Sequence, residues 1–385
     1  MFYHLPPAGD PVLWKPSSSS LVDARKHFEP YDTFFYNSGA ESLAAAIISI
    51  ISRKGVDAPE VMLSAYSCPE LVSAILYAGA KPVLVDLEYQ RPWIDIADFE
   101  NKISKNTVAV IGVNLFGIAE QLGKMDEICN KHDISLIEDS AQSFPDITDN
   151  RFWRGDFIVL SFGRGKPIST LGGGALLCRN QERIKALPEE RVNRKKSSKS
   201  ELVKFRLKIF LYNLLLHPRL YFIPNSLPFL KLGETRFKPL LVIESMAEEN
   251  AYILEANIDN YIRTRSDEKR QWLSEIISES TLIDLPRACA APNDMPTLLR
   301  YPVLAGSCKQ RDELYCKLNQ AGLGASKMYQ KPLNKIQGLE TIFKQQGEFH
   351  NAQGFAETLL TLPVHKGLTL KCVQKIKAHI QHSIR

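Results

Sequence analysis

Four side chains near the middle of the chain have types and spacing suited to amine chemistry: Asp139, Gln142, Ser161 and Lys166. Asp139 closes the apolar run of LIEDSAQSF, and ligands of open parallel sheets sit at the carboxyl ends of strands. A serine follows 22 residues later and a lysine 27 residues later. That set suits pyridoxal 5'-phosphate (PLP), which needs a lysine amine for its Schiff base. It also needs an aspartate to keep the ring nitrogen protonated, so that the ring serves as an electron sink. Its phosphate needs a cup of backbone N–H groups at a helix start, helped by hydroxyls. The turn Asn37-Ser38-Gly39-Ala40-Glu41, opening a helix near Ser42, supplies such a cup. Other readings compete residue by residue. Glu138 and Asp139 in tandem could be metal ligands or half of an ion pair, and Lys166 could be a solvated lysine in a glycine-rich loop. Gly163-Arg164-Gly165-Lys166 hints at a nucleotide-phosphate loop, but Leu160 and Pro167 occupy positions where that motif needs Gly and Ser/Thr.

The elements that must position these groups alternate. Helical patterns at 43–51, 69–78 and 120–132 separate strand patterns at 60–63, 81–86, 108–113 and 134–139, with further strands at 156–162 and 174–178. Strands separated by helices predict a mostly parallel sheet covered on both faces. Residues 245–280 carry a helical apolar period and are read as one long helix leading out of the large domain. A strand at 301–304, a helix at 309–321 and a final helix after Thr369 follow. The domain change is placed near residue 260, giving 1–260 and 261–385.

Composition sets the bounds. The 385 residues are 44% hydrophobic and 24% charged, as in ordinary globular proteins. Seven scattered cysteines without a C-x-x-C pair argue against structural zinc and a secreted disulfide framework, and predict a cytoplasmic setting. The N-terminus has no signal-peptide pattern, and no apolar run reaches membrane-spanning length. The net charge of +5 is local: 191–219 holds nine Lys or Arg against Glu201. A general nucleic-acid role is therefore not predicted, and no metal site is.

The chain resembles the DegT/DnrJ/EryC1/StrS family of PLP-dependent aminotransferases. The likeness runs through NSGAESLAAAI (37–47), VMLSAY…AILYAGAKPVLVDLE (61–88), VIGVNLFG (110–117), LIEDSAQSF (136–144), DFIVLSFGRGKPISTLGGGALL (156–177) and AETLLTLPVHKGLT (356–369). The resemblance implies the α/β fold type I of PLP-dependent transferases. That means a large domain with a mainly parallel seven-stranded-type sheet and a smaller C-terminal α+β domain. It implies a homodimer with active sites at the interface, and as substrates an amino donor, glutamate, and a keto sugar carried by a nucleotide. It makes Lys166 the lysine that holds the cofactor and moves the proton, and Asp139 the partner of the pyridine nitrogen. Gln142 would contact the ring hydroxyl, while Ser161 and the backbone of Gly39, Ala40 and Glu41 would hold the phosphate. Glu138 reads as structural.

The chain departs from the family at several of these places. Cys68 stands where relatives stack an aromatic ring on the cofactor, with Tyr66 a candidate to compensate. Ala40 replaces a threonine of the phosphate turn. Asn114, Tyr329 (after Met328) and Arg164 are assigned to the substrate side. The Asn-x-Arg-Met motif that reaches across the dimer is absent before Met246, with Arg236 and Asn250 as candidate replacements. An insert at about 191–235 is basic, and 201–232 mixes Leu, Phe, Tyr and Ile with Lys and Arg. It predicts either a cover for the active site or dimer seam, or peripheral contact with an anionic membrane. Two rival functions are weighed. Sugar 3-dehydration within the family uses histidine in place of the lysine, which Lys166 opposes. A catalytically idle PLP-binding scaffold or regulator has no need for the retained Asp139, Gln142, Ser161 and Lys166. His365 reads as a structural loop residue, and Trp153 and Arg154 as packing residues.

Overall fold

The computed structural model describes residues 3–16, 21–144, 153–179, 187, 197–227, 235–264, 267–290 and 297–381. The strands of the large sheet are β1 (Asp32–Tyr36), β2 (Glu60–Ser64), β3 (Lys81–Val85), β4 (Thr107–Val113), β5 (Ser135–Asp139), β6 (Phe157–Ser161) and β7 (Gly174–Cys178). Their order is β1-β7-β6-β5-β4-β2-β3. Strands β3, β2, β4, β5 and β6 are parallel, and β7 runs against both its neighbours. β4, β5 and β7 are buried at every residue, as a sheet covered on both faces requires. The expected parallel architecture is therefore present. The sequence reading omitted β1, a five-residue strand at the sheet edge.

Helices α1 (Leu21–Lys26), α2 (Gly39–Lys54), α3 (Pro69–Tyr77), α4 (Ile96–Lys102) and α5 (Leu122–His132) belong to this part of the chain. Ser38 caps α2 by accepting the Glu41 N–H, and Gly55, at φ 64°, ends it in the left-handed conformation. Pro69 starts α3 at a position where its missing N–H costs nothing. Next come α6 (Lys199–Leu216), α7 (Phe222–Asn225), α8 (Glu248–Thr264) and α9 (Glu268–Ser278). The single helix expected over 245–280 is thus two, with a bend at Asp267. Residues 263–271 are all polar in sequence, so the apolar period of a helix lapses there.

The C-terminal part contains β8 (Ile283–Asp284), α10 (Leu285–Cys289), β9 (Arg300–Leu304), α11 (Cys308–Gln320), α12 (Glu340–Phe343), α13 (His350–Thr358), β10 (Leu359–Pro363) and α14 (Leu370–Gln381). Strands β10, β9 and β8 form an antiparallel sheet. The hydrophobic cores do not divide at one residue. Leu5 packs in the core of this small sheet, with Leu314, Leu360 and Ile376. Leu333, Phe343 and Phe355 join the core of the large sheet.

Candidate active site

The carboxyl ends of the parallel strands bring the predicted residues to one edge. Asp139 ends β5 and Ser161 ends β6. Beyond Ser161 the chain turns through Gly163 to Lys166; a Cβ built on Gly163 would lie 3.6 Å from Ser161 Oγ and 4.0 Å from Lys166 Cγ. The start of α2 abuts the same edge. A Cβ on Gly39 would lie 2.9 Å from Ser161 Cβ and 3.3 Å from its Oγ. Gly174 lets this turn approach, because a Cβ there would lie 2.5 Å from the Ser38 carbonyl and 2.6 Å from Gly39 N. The glycine run 172–174 therefore admits a chain segment, the very turn predicted to hold phosphate.

The donors at that turn are partly committed. Glu41 N–H goes to Ser38 Oγ at 3.2 Å and Ser42 N–H to the Ser38 carbonyl at 3.1 Å. This corrects the expectation that the Glu41 backbone faces phosphate. Its carboxylate also turns inward, accepting from Ser38 Oγ and from the Glu244 N–H. Gly39, Ala40 and the Ser161 hydroxyl remain at the mouth of the turn, and Ala40 N–H has no hydrogen-bond partner among the described residues.

Asp139 is buried, and burial pushes its carboxyl above the ordinary range. The Ala141 N–H at 2.9 Å and the Lys166 ammonium pull it back. Lys166 acts electrostatically on Cys68 as well. Its ammonium has no hydrogen-bond or ion-pair partner among the described residues. Cys68, at the start of α3, bonds Tyr329, and burial pushes its thiol up to about 11, so it is a neutral thiol. Gln142 accepts from Phe116 N–H at 3.2 Å, which directs its Nε2 toward the Tyr329 hydroxyl at 3.4 Å. Lys166, Asp139, Gln142, Cys68 and Tyr329 thus form one cluster.

Tyr329 was expected on the substrate side and stands inside that cluster. Its φ of 46° and the φ of 61° at Phe116 are left-handed values that non-glycine residues rarely adopt. Tyr66, the candidate to cover the cofactor, is buried instead. Its hydroxyl bonds the Met328 carbonyl and its ring meets Tyr329 edge-on at 5.6 Å, so it supports Tyr329 from behind. The sequence offered no signal for this pairing.

Two further side chains are committed elsewhere. Asn114 turns away from any substrate: its Nδ2 donates to Glu138 Oε1 and Ser140 Oγ, both at 2.8 Å, and its Oδ1 accepts from Glu120 N–H at 3.0 Å. Asn250 donates to the Thr170 carbonyl and lies against Gly172, so it braces its own chain behind Lys166. Arg164, assigned to the substrate side, and Arg236, a candidate for the contact across the dimer, are both exposed. Glu138 is structural, as expected: its second oxygen accepts from the backbone N–H of Arg154 at 2.7 Å and of Gly155 at 3.1 Å. His365 is also structural. Nδ1 accepts from Gly367 N–H, which leaves Nε2 to donate to the Pro6 carbonyl at 2.8 Å. Trp153 packs edge-on against Tyr31 and Phe144.

A cavity of about 120 Å³ opens beside Lys166, between Pro11, Tyr261, Leu298 and His365. It touches the cluster only through Lys166. Helix α6 closes the flank of the Lys166 loop. Phe205 and Ile209 pack with Val12, Leu171 and Ile253, and Tyr212 bonds the Gly165 backbone. Residues 191–196 and 228–234 of the basic insert lie outside the described residues. Among the described residues no helix is long and apolar enough to cross a membrane.

PLP fits this residue set. The turn at Gly39 and Ala40 with Ser161 is an anion cradle narrow enough for a single Cβ to fill. The Asp139 carboxylate and the Lys166 amine supply the acid and the amine that the cofactor's ring nitrogen and aldehyde require.

Comparison with known proteins agrees. The model of the DegT/DnrJ/EryC1/StrS aminotransferase family matches residues 34–208 and 246–381. The dTDP-4-amino-4,6-dideoxy-D-glucose transaminase of Shigella dysenteriae is 24% identical over 346 residues, spanning 87% of this chain and 82% of that one. GDP-perosamine synthase of Vibrio cholerae is 29% identical over 127 residues, only 32% of this chain and 34% of that one. The solved structure of Helicobacter pylori PseC, an aminotransferase involved in the biosynthesis of pseudoaminic acid, superposes with a TM-score of 0.74. It is 17% identical, with 98% of each chain covered, and so shows the shared fold. The match covers both the cluster around Lys166 and the small C-terminal sheet: the chain belongs to the DegT/DnrJ/EryC1/StrS aminotransferase family.

Proposed function

We propose that this chain is a PLP-dependent aminotransferase that moves an amino group from an amino-acid donor, glutamate, to the keto group of a nucleotide-linked sugar. The observation that carries this reading is the cluster of Lys166, Asp139, Gln142, Cys68 and Tyr329 beside the Gly39–Ser161 cradle. The names of the Shigella and Vibrio relatives support the nucleotide-sugar acceptor. Bound PLP supplies an electron sink for the carbon that loses its proton. Lys166 would hold the cofactor through Nζ and, once freed, would act as the base that removes the proton from the donor's α-carbon and as the acid that returns one to the acceptor's former keto carbon. Asp139 holds a proton on the ring nitrogen, Gln142 orients the ring hydroxyl, and Ser161 with the Gly39 and Ala40 backbone holds the phosphate. Cys68 and Tyr329, which share the cluster with Lys166 and Asp139, would lie beside the bound cofactor, the small thiol standing in for a larger aromatic cover. The test supplies glutamate and a panel of nucleotide-linked keto sugars, and follows 2-oxoglutarate and the new amine. Turnover with free keto acids but none of the sugars would overturn the acceptor assignment.

The same reading makes the protein a cytoplasmic homodimer with a peripheral membrane contact through 201–232, and one observation favours that contact. Helix α6 buries Phe205 and Ile209 but leaves Val203, Leu207, Phe210, Leu211 and Leu214 exposed on its other side. Lys199, Arg206, Lys204 and Lys208 border that stripe and are exposed. An apolar stripe with basic margins suits an anionic lipid surface. Equal sedimentation with anionic and neutral vesicles would remove this part of the proposal.

A further inference from the structure

Strand β9 opens with Arg300, opposite Pro363 of β10 in the small sheet. Its Nε is buried with no hydrogen-bond partner. Three other arginines also carry a buried Nε without a well-formed hydrogen bond, but each guanidinium has a partner, and Arg311 Nε itself lies 2.7 Å from Asp312 Oδ1. Arg53 donates to Ser135 Oγ at 3.1 Å, Arg311 to the Ala356 carbonyl at 3.0 Å, and Arg270 pairs with Asp267 at 3.5 Å. No nitrogen of the Arg300 guanidinium has a hydrogen-bond or ion-pair partner among the described residues. Arg300 as a whole is half-buried, with Nε sealed from water, and a guanidinium left unpaired in that way can take the anion of a ligand.

Among the described residues no anion faces Arg300. The ionisable groups facing it are Tyr329, Tyr221 and His365. Burial holds both tyrosines neutral and lowers the His365 pKa. Tyr329 belongs to the cluster around Asp139 and Lys166, and His365 lines the cavity beside Lys166. Its chain neighbour Leu299 and Val364, next to its strand partner Pro363, both line the cavity, and Leu299 N–H donates to the carbonyl of Phe116, whose own N–H goes to Gln142, so Arg300 lies between the cofactor cluster and the cavity. The cavity itself is lined by Lys166, Lys269 and Lys366 against one acid, Asp10. The planar fork of arginine matches the paired oxygens of a carboxylate or a phosphate.

We propose that Arg300 is the residue that clamps a substrate oxyanion, a carboxylate or phosphate carried by the molecule bound at the Lys166 site. This rests on the aminotransferase reading, in which two substrates bring such groups: the amino donor its carboxylates and the acceptor its diphosphate. The test uses PLP-loaded wild type, Arg300→Gln and Arg300→Lys. Calorimetry measures binding of glutarate, an unreactive dicarboxylate, and of a nucleoside diphosphate. The visible cofactor band and the thermal transition report that each variant is folded and loaded. Arg300→Gln is expected to weaken one of the two ligands by about 10- to 100-fold, as loss of a charged hydrogen bond does. Arg300→Lys, which keeps the charge but not the fork, is expected to recover only part of that loss. A loss confined to glutarate assigns Arg300 to the donor, and one confined to the nucleotide assigns it to the acceptor. Both ligands binding Arg300→Gln as they bind wild type would overturn the proposal, and so would failure of wild type to bind either. If Arg300→Gln does not fold, Arg300→Lys decides, and unchanged affinity for both ligands overturns the proposal. If wild type forms no cofactor band with PLP, the aminotransferase reading has failed instead.

Discussion

Gly39→Ala is the sharpest perturbation of the cradle. The added Cβ would stand 2.9 Å from Ser161 Cβ, 3.3 Å from its Oγ and 3.4 Å from the Leu160 carbonyl. Carbon atoms in good contact sit about 3.5–4.0 Å apart, so the start of α2 or the end of β6 must move by about 0.6–1 Å. Neither gives easily, since Ser161 is paired with Gly174 in the sheet and the α2 turn is pinned to Gly173 and Glu244 through Asn37. Overpacking of this size costs about 1–3 kcal/mol. The same two elements form the phosphate cradle, so the strain falls on cofactor binding, and PLP affinity should drop about 10- to 100-fold. Helix propensity acts the other way, because alanine favours α2 more than glycine does. Gly163→Ala is the matched control: its Cβ lies at an ordinary 3.6 Å from Ser161 Oγ. The assay is titration of the visible cofactor band with PLP, beside a thermal melt. A Gly39→Ala protein that binds PLP within about twofold of wild type would refute the reasoning, since an overlap costing 1–3 kcal/mol cannot leave affinity unchanged.

Two further outcomes follow from the corrected assignments. Asn114→Ala removes both donors to the Glu138 and Ser140 side chains and strands the Glu120 N–H, so denaturant unfolding should show a loss of about 2–4 kcal/mol while KM for both substrates is unchanged. Normal stability with a raised KM would restore Asn114 to the substrate. His365 has its pKa lowered by burial in the folded protein, so its contribution is fully present above about pH 6.5, the ordinary value for an unfolded histidine, and is lost as the pH falls below it. Melting temperatures across that range should fall less steeply on the acid side in His365→Gln, and an unchanged slope would contradict the buried neutral ring.

The sequence carried the sheet and its strand ends further than it carried the side-chain partners. Strands β2 to β7 have apolar centres bounded by polar ends and turns, and the pattern places each to within a residue or two. The order and spacing of Asp139, Ser161 and Lys166 were legible because they sit just past those strands. Pairings across long stretches of chain were not. Tyr66 and Tyr329 meet across the fold, and nothing local in either segment marks the left-handed turn at Tyr329. Asn114 was misread because type and position cannot show that an amide turns inward to a buried carboxylate. The helix expected over 245–280 failed where its apolar period lapsed. Arg300 gave a faint signal, a lone cation at the head of an apolar strand, which acquires meaning only when its missing counter-ion is visible.

The central claim is that Lys166 holds PLP in a working transaminase, and the visible absorbance of the purified protein with PLP tests it most directly. Spectra are taken before and after glutamate, for wild type and for Lys166→Ala. The account predicts a band from lysine-bound cofactor that glutamate bleaches in wild type and that is missing from Lys166→Ala. The same band in Lys166→Ala, or a wild-type band that no amino donor changes, would contradict it.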